Sequence, residues 1–252
     1  MTTQSDTNGR IVLVTGAGGG VGAALVRRFL DNGDTVVGTD RSADALSALE
    51  TDMAAGPALV TIAGDITDGD DVDALAATVR RAGGGRLDVL VNCAGYFPFH
   101  SFTDTTPALW RNVIEVNLTG YYLVTHTMLP LMTGHGRGRI INFGSASMFP
   151  GVAGQVHYVS AKSGLMGFTR SLAREVGDAG ITVNMVTPGV TMTGPVRENF
   201  APELIESQRD GRAIKRDQQP GDLVGPVFFL ASPDADFITG QTLNVDGGMF
   251  MN

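Results

Sequence analysis

Apolar runs rich in β-branched residues recur along the chain, separated by segments of helical length. They read IVLVT at 11–15, TVVGT at 35–39, ALVTIA at 58–63, LDVLV at 87–91, RIINF at 139–143, ITVNMV at 181–186 and QTLNV at 241–245. The first six are apolar on both faces, and the spacers between them are long enough for crossover helices. That pattern predicts a Rossmann-type, doubly wound α/β fold: a mostly parallel sheet of about seven strands with helices on both faces. No repeat, low-complexity tract or Pro/Ser-rich linker divides the chain, so one domain over residues 1–252 is expected. The least regular stretch, about 190–220, mixes helix-compatible segments with Gly, Pro and charge. It reads equally as a substrate lid or as a solvated helix and loop.

In open α/β sheets ligands bind beyond the carboxyl ends of the strands. Distinctive residues follow six of the runs: Gly16–Gly22, Asp40, Asp65, Asn92–Gly95, Ser145, and Pro188 with Gly189. Together they predict one extended site. The turn TGAGGGVG, with Gly16, Gly19, Gly20, Val21 and Gly22, lies between the first strand and an amphipathic helical run. Glycine there lets the backbone approach a pyrophosphate, whose charge the helix N-terminus favours. Asp40, 18 residues after Gly22, is placed to accept from both adenosine ribose hydroxyls and to repel a 2′-phosphate, which predicts NAD rather than NADP. Arg41 argues the other way, since a guanidinium can stack on adenine or bind a 2′-phosphate. Asp40 can equally serve as a helix N-cap. Asp65 and Ile66 in GDITD, and Asn92, Ala94 and Gly95 in NCAG, complete the expected cofactor edge, with Asp65 accepting from the adenine amine.

Charge narrows the partners. The 18 Lys+Arg against 26 Asp+Glu give a net charge of −8 over 252 residues, which disfavours nucleic acid and anionic membrane surfaces. The single cysteine, Cys93, allows no intrachain disulfide and no cysteine-based metal site, and no metal is expected. No stretch reaches the roughly 20 apolar residues of a membrane span. The start MTTQSDTNGR lacks the apolar core of a signal peptide. A cytoplasmic location is the expectation.

Two helical patterns carry polar residues on their apolar stripes. From Trp110 the series Val113, Ile114, Asn117, Tyr121, Val124, Met128 keeps spacings of three and four except at one step. Asn117 therefore faces the core side, where its amide must find partners. In the second pattern Tyr158, Lys162, Leu165, Thr169, Leu172 and Val176 put a lysine among apolar neighbours. Residues four apart share a helix face, so the Lys162 ammonium is expected near the Tyr158 phenol, favouring phenolate and tuning an acid/base group.

From TGAGGGVG through NCAG, Asn117, Ser145, YVSAK and NMVTPGV to ITGQTLNVDGG, essentially the whole chain resembles the short-chain dehydrogenase/reductase family in its roughly 250-residue branch. The resemblance implies a catalytic set of Asn117, Ser145, Tyr158 and Lys162. Ser145 would bond the substrate oxygen, Tyr158 exchange the alcohol proton, and Lys162 hold the nicotinamide ribose and lower the tyrosine pKa. Asn117 would support a water that relays protons to Lys162. Pro188, Gly189, Val190 and Thr193 would contact the nicotinamide end, and a homotetramer is implied. The family usually has a second Asn where Cys93 stands; Cys93 is expected to face away from Asn92.

The expected substrate wall combines Tyr96, Phe97, Pro98 and Phe99 with Met148, Phe149, Val190, Met192 and Phe200, while Gln155 and His157 add polar recognition. Such a wall suits a hydrophobic or aryl substrate. No arginine stands in these segments, which disfavours a carboxylated or phosphorylated one; Arg197 is the exception. The expected activity is hydride transfer between NAD(H) and a secondary alcohol or ketone, similar to NAD-linked aryl alcohol dehydrogenases of the family. The alternatives are a 3-oxoacyl-thioester reductase using NADPH and a non-catalytic NAD-binding sensor or scaffold.

Overall fold

The apolar runs become seven strands: β1 (Ile11–Thr15), β2 (Thr35–Asp40), β3 (Leu59–Ala63), β4 (Val89–Asn92), β5 (Gly138–Phe143), β6 (Ile181–Pro188) and β7 (Thr242–Val245). They are those of a computed structural model, which describes residues 9–251. The sheet order is β3-β2-β1-β4-β5-β6-β7, and every pairing is parallel. The chain winds outward from β1 to β3, then crosses back to lay β4 against the other side of β1, so the strand order reverses there and opens a crevice. β4 starts two residues later than its apolar run. Asp88 there accepts from Ile11 N through its side chain, and Leu87 N bonds Leu131 O.

Alternate residues of each strand feed opposite cores. On one side Leu13, Val37, Leu90 and Ile140 pack with α3 (Gly69–Ala82), α5 (Gly120–Met132) and α6 (Val156–Val176). On the other, Val12, Val14, Val36, Val91 and Ile141 pack with α1 (Gly20–Asp31), α2 (Ala43–Met53) and α9 (Gly221–Leu230). Each such side chain contributes about 1.5–3 kcal/mol by leaving water, which holds strand ends and helix N-termini in fixed relation.

Before α5 lies α4 (Pro107–Ile114), joined to it by a π turn at Glu115–Thr119 in which Gly120 N bonds Glu115 O. This turn follows the irregular step in the apolar series. It buries Asn117, while Trp110, expected on the same stripe, is 37 % exposed. The irregular stretch folds as α7 (Gly194–Asn199) and α8 (Pro202–Gly211). Among the described residues no helix is long and apolar enough to cross a membrane. Most of the polar start, residues 1–8, lies outside the described residues.

Candidate active site

The glycine turn closes tightly on its neighbours. Gly16 has φ +69°, and a Cβ there would fall 2.8 Å from Ala94 Cα; at Gly22 it would fall 2.0 Å from Gly16 O. No other residue fits either position without moving backbone. Helix α1 starts on Gly19 with no side-chain cap and no acidic residue in its first turn, which leaves its N–H groups to an anion. This cradle opens into a cleft of about 370 Å³ lined by Gly16, Gly19, Gly20, Val21 and Gly22 on one side. Asp40, Arg41, Asp65 and Ile66 line it further along, and Ala94, Gly95, Pro188, Gly189 and Thr193 also face it.

The Asp40 carboxylate accepts from Gly18 N at 3.1 Å and from Ser42 N at 3.0 Å, so it fastens the glycine turn to the start of α2. It is not the N-cap of that helix; Ser42 is, accepting from Ala45 N at 3.1 Å. Asp65 uses Oδ1 to accept from Thr67 N and Oγ1, at 2.9 and 2.8 Å. A cradle filled by any Cβ, an uncapped helix start and a carboxylate at the end of β2 fit a nicotinamide dinucleotide. The first two would hold its pyrophosphate and the carboxylate its adenosine ribose.

Two cofactor expectations need correction. Asn92 is buried away from the cleft: its Nδ2 donates to Thr125 Oγ1 and Asn142 Oδ1, both at 3.0 Å, and Asn142 Nδ2 in turn donates to Thr169 Oγ1 at 3.0 Å. This ladder ties β4 and β5 to α5 and α6. Strand alternation instead turns Cys93 into the cleft, where burial pushes its thiol up to about 12. Val190 lines the adjoining substrate cavity and not the cofactor cleft.

At the seam between the two spaces stand Ser145 and Tyr158, which line both. Ser145 follows β5; its Oγ accepts from Ser147 N at 3.2 Å and lies 2.8 Å from Ser147 Oγ. Burial pushes the Tyr158 phenol up to about 12, against the pull of a hydrogen bond with Ser145. Lys162 lies near that phenol, as its spacing predicts, but its hydrogen bonds go elsewhere. Its Nζ donates to Phe143 O at 2.7 Å and Tyr121 Oη at 3.0 Å, and lies 5.9 Å from the centre of the Tyr158 ring. An ammonium taken out of water must find acceptors, and the end of β5 with α5 supplies them. Burial pushes Lys162 down to about 7.

Asn117 is held by backbone groups on both sides of its amide. Its Nδ2 donates to Tyr96 O at 2.7 Å and Val113 O at 3.0 Å, and its Oδ1 accepts from Tyr96 N at 3.3 Å. The amide is engaged with backbone and pins the loop after β4 over the lysine.

The substrate-side cavity, about 490 Å³, is walled by Phe97, Phe99 and Phe200, with Gln155 at its edge. The rings meet edge to face: Phe97 to Phe200 at 6.5 Å, Phe99 to Phe200 at 5.3 Å, and Phe97 to Tyr158 at 6.3 Å. Met148 and Met192 are not in this wall; Met148 packs against the core on the α5 and α6 side. Their place is taken by Met249 and Phe250. Asp246 brings these in, its carboxylate accepting from Gly248, Met249 and Phe250 N and from Asn244 Nδ2 at 2.9–3.1 Å. An arginine also stands in the wall: Arg212, whose guanidinium donates to Val190 O at 2.7 Å and Arg216 O at 2.9 Å, its pKa lowered by burial. Nothing in the local sequence around 212 distinguishes it from a surface arginine.

A parallel sheet with a glycine cradle at its switch point, opening onto a Ser/Tyr seam and an apolar cavity, defines a dinucleotide-binding oxidoreductase. The family model described as Enoyl-(Acyl carrier protein) reductase matches residues 16–250. The 3-oxoacyl-[acyl-carrier-protein] reductase FabG of Vibrio harveyi is 37 % identical over 246 residues, covering 96 % of this chain and 98 % of that one. The L-rhamnose 1-dehydrogenase (NAD(P)(+)) of Azotobacter vinelandii is 38 % identical over 250 residues, covering 96 % and 97 %. A solved short-chain dehydrogenase/reductase, titled glucose/ribitol dehydrogenase, from Brucella melitensis superposes with a TM-score of 0.92 at 28 % identity, over 98 % of this chain and 99 % of that one. The chain belongs to the short-chain dehydrogenase/reductase family. It is an oxidoreductase that uses a nicotinamide cofactor on CH–OH or carbonyl groups.

Proposed function

We propose that the protein interconverts a hydrophobic, preferentially aryl, secondary alcohol and its ketone with NAD(H). The observation that carries this reading is the seam: Ser145 and Tyr158 border both a cleft ending at Asp40 and a cavity walled by Phe97, Phe99 and Phe200. A carboxylate at the ribose end favours the cofactor without a 2′-phosphate, and an aromatic wall favours a flat apolar substrate.

The bound nicotinamide supplies or takes the hydride. Ser145 Oγ donates to the substrate oxygen and orients the carbinol carbon. Tyr158 Oη takes the alcohol proton during oxidation when ionised, and as the neutral phenol donates a proton during reduction. Lys162 would hold the nicotinamide ribose hydroxyls and, in its protonated form, places positive charge beside Tyr158. Asn117 fixes the loop above them. The α7–α8 segment, which contributes Val196, Phe200 and Leu204 to the cavity, acts as a lid that excludes water. In this reading the protein is a single-domain, cytoplasmic homotetramer with no nucleic-acid or membrane partner, in keeping with its net charge of −8.

A second reading, reduction of 3-oxoacyl thioesters with NADPH, is favoured by the FabG relatives. Initial rates with NAD(H) and NADP(H) on aryl alcohols, aryl ketones and 3-oxoacyl thioesters separate the two. Higher kcat/KM with NAD on an aryl alcohol supports the first, and preference for NADPH with a thioester replaces it by the second. Equal turnover by wild type and Tyr158→Phe across the whole panel overturns the catalytic assignment and leaves a nucleotide-binding sensor.

A further inference from the structure

Two phenols share the neighbourhood of one buried ammonium. Tyr121, on the first turn of α5, is fully buried on a face otherwise given to Val124 and Met128. Its Oη donates to Ala94 O at 2.8 Å and accepts from Lys162 Nζ at 3.0 Å. The ammonium lies 4.6 Å from the centre of this ring, closer than to that of Tyr158. A buried tyrosine usually finds one partner for its hydroxyl, and Ala94 O already provides it. The lone pair turned to Lys162 is an additional feature. A lysine ammonium carries three donors, and Phe143 O meets only one of them.

We propose that Tyr121 is a positioning residue for Lys162: its hydroxyl, anchored on Ala94 O, holds the ammonium at the ends of β4 and β5 and sets how much of the lysine is charged. The proposal rests on the reading of Tyr158 and Lys162 given above, and no proton leaves Tyr121. The titratable groups facing Lys162 are Tyr158 on its own helix, Tyr121 on α5 and Cys93 after β4. Burial holds the thiol and both phenols in their neutral forms at neutral pH. The charge on Lys162 is therefore decided by burial, which lowers it, against its two hydrogen-bond acceptors, which favour it. Removing the Tyr121 hydroxyl takes away one acceptor and lowers the Lys162 titration midpoint further.

The chain contains only two lysines, Lys162 and the exposed Lys215. In a Lys215→Arg background a protein labelled with 13C and 15N lysine reports on Lys162 alone. NMR titration of its Cε and Nζ resonances in the cofactor-free protein is expected to give a midpoint near neutrality that falls by about one pH unit in Tyr121→Phe. Thr125→Val, which removes a neighbouring buried hydroxyl that touches Asn92 and not the lysine, leaves the midpoint in place. In the Lys215→Arg protein itself, the Cζ resonance of Tyr121 moves in step with the Lys162 titration, a measurement that does not depend on the Phe variant folding. With cofactor and substrate added, the acid limb of the kcat profile for alcohol oxidation moves to higher pH in Tyr121→Phe. A Lys162 midpoint unchanged within about 0.2 pH units, or a Tyr121 Cζ signal indifferent to it, overturns the proposal. If Tyr158→Phe also retains full turnover, the catalytic reading fails separately.

Discussion

Asp40 offers the most direct test of cofactor choice, because the same carboxylate has a countable structural load. Replacing it with Ala removes acceptors from Gly18 N and Ser42 N. At about 1 kcal/mol each, the loss is about 2 kcal/mol of stability. For a chain of this size that lowers Tm by about 4–8 °C. The charge-assisted bonds to the adenosine ribose are lost as well, about 2 kcal/mol, or about a thirtyfold fall in kcat/KM with NAD. For NADP the sign reverses. A 2′-phosphate carrying about two negative charges at about 4 Å from Asp40 is repelled by about 2 kcal/mol at the dielectric of water, so its removal gains about thirtyfold. Arg41 lines the same cleft and can meet the 2′-phosphate. The ratio of kcat/KM for NAD over NADP is expected to fall by about a thousandfold. Steady-state kinetics with both cofactors, with a melting curve to register the structural part, measure both effects. A ratio changed by less than about threefold in a folded Asp40→Ala protein would refute the assignment of Asp40 to the ribose.

Three further outcomes follow from the geometry. Phe200→Ala removes the ring that joins Phe97 and Phe99 across the cavity; KM for an aryl alcohol is expected to rise about tenfold, corresponding to about 1.4 kcal/mol, while the Kd for NAD measured by calorimetry holds. Asp246→Ala frees the turn that carries Met249 and Phe250, so kcat/KM for apolar substrates falls and the preference for bulky over small alcohols narrows; an unchanged preference counts against these residues as wall. Lys162, pushed down to about 7 in the folded protein from an ordinary value of 10.5, binds fewer protons than in the unfolded chain between those limits. Its contribution to stability therefore rises as pH increases from about 7 to 10. Urea denaturation of wild type and Lys162→Met at pH 7, 8.5 and 10 should show wild type gaining relative to the variant with pH, and a flat difference would contradict the buried-lysine assignment.

The strands, the doubly wound order and the glycine cradle were legible from the chain because each rests on a local rule. Apolar period, helix-length spacers and Gly at a strand-to-helix turn act over a few residues, and all three reappear in β1 to β7 and in the Gly16–Gly22 turn. The same holds for the placement of Ser145 and Tyr158 at one seam, since a strand end and the start of α6 meet wherever the sheet is parallel. Side-chain direction was less legible. Alternation along β4 says that Asn92 and Cys93 point opposite ways; which of them faces the cleft depends on how α5 and α6 cover the sheet, and they take the asparagine.

Where interactions come from distant segments, only the tertiary structure decides. Helical spacing put Lys162 and Tyr158 on one face, yet a flexible four-carbon stem goes to the best acceptors within reach, and those come from Phe143 on β5 and Tyr121 on α5. The Asn117 amide is likewise claimed by Tyr96, 21 residues away. Met249 and Phe250 enter the cavity through the turn that Asp246 closes, and Arg212 reaches it by bonding Val190 O. The amino-acid pattern by itself determined the scaffold and the cofactor-facing edge, because backbone sterics and burial act locally. The acceptors of the lysine and the composition of the substrate wall were settled by packing, because buried polar groups must be satisfied by whatever neighbours the fold brings to them.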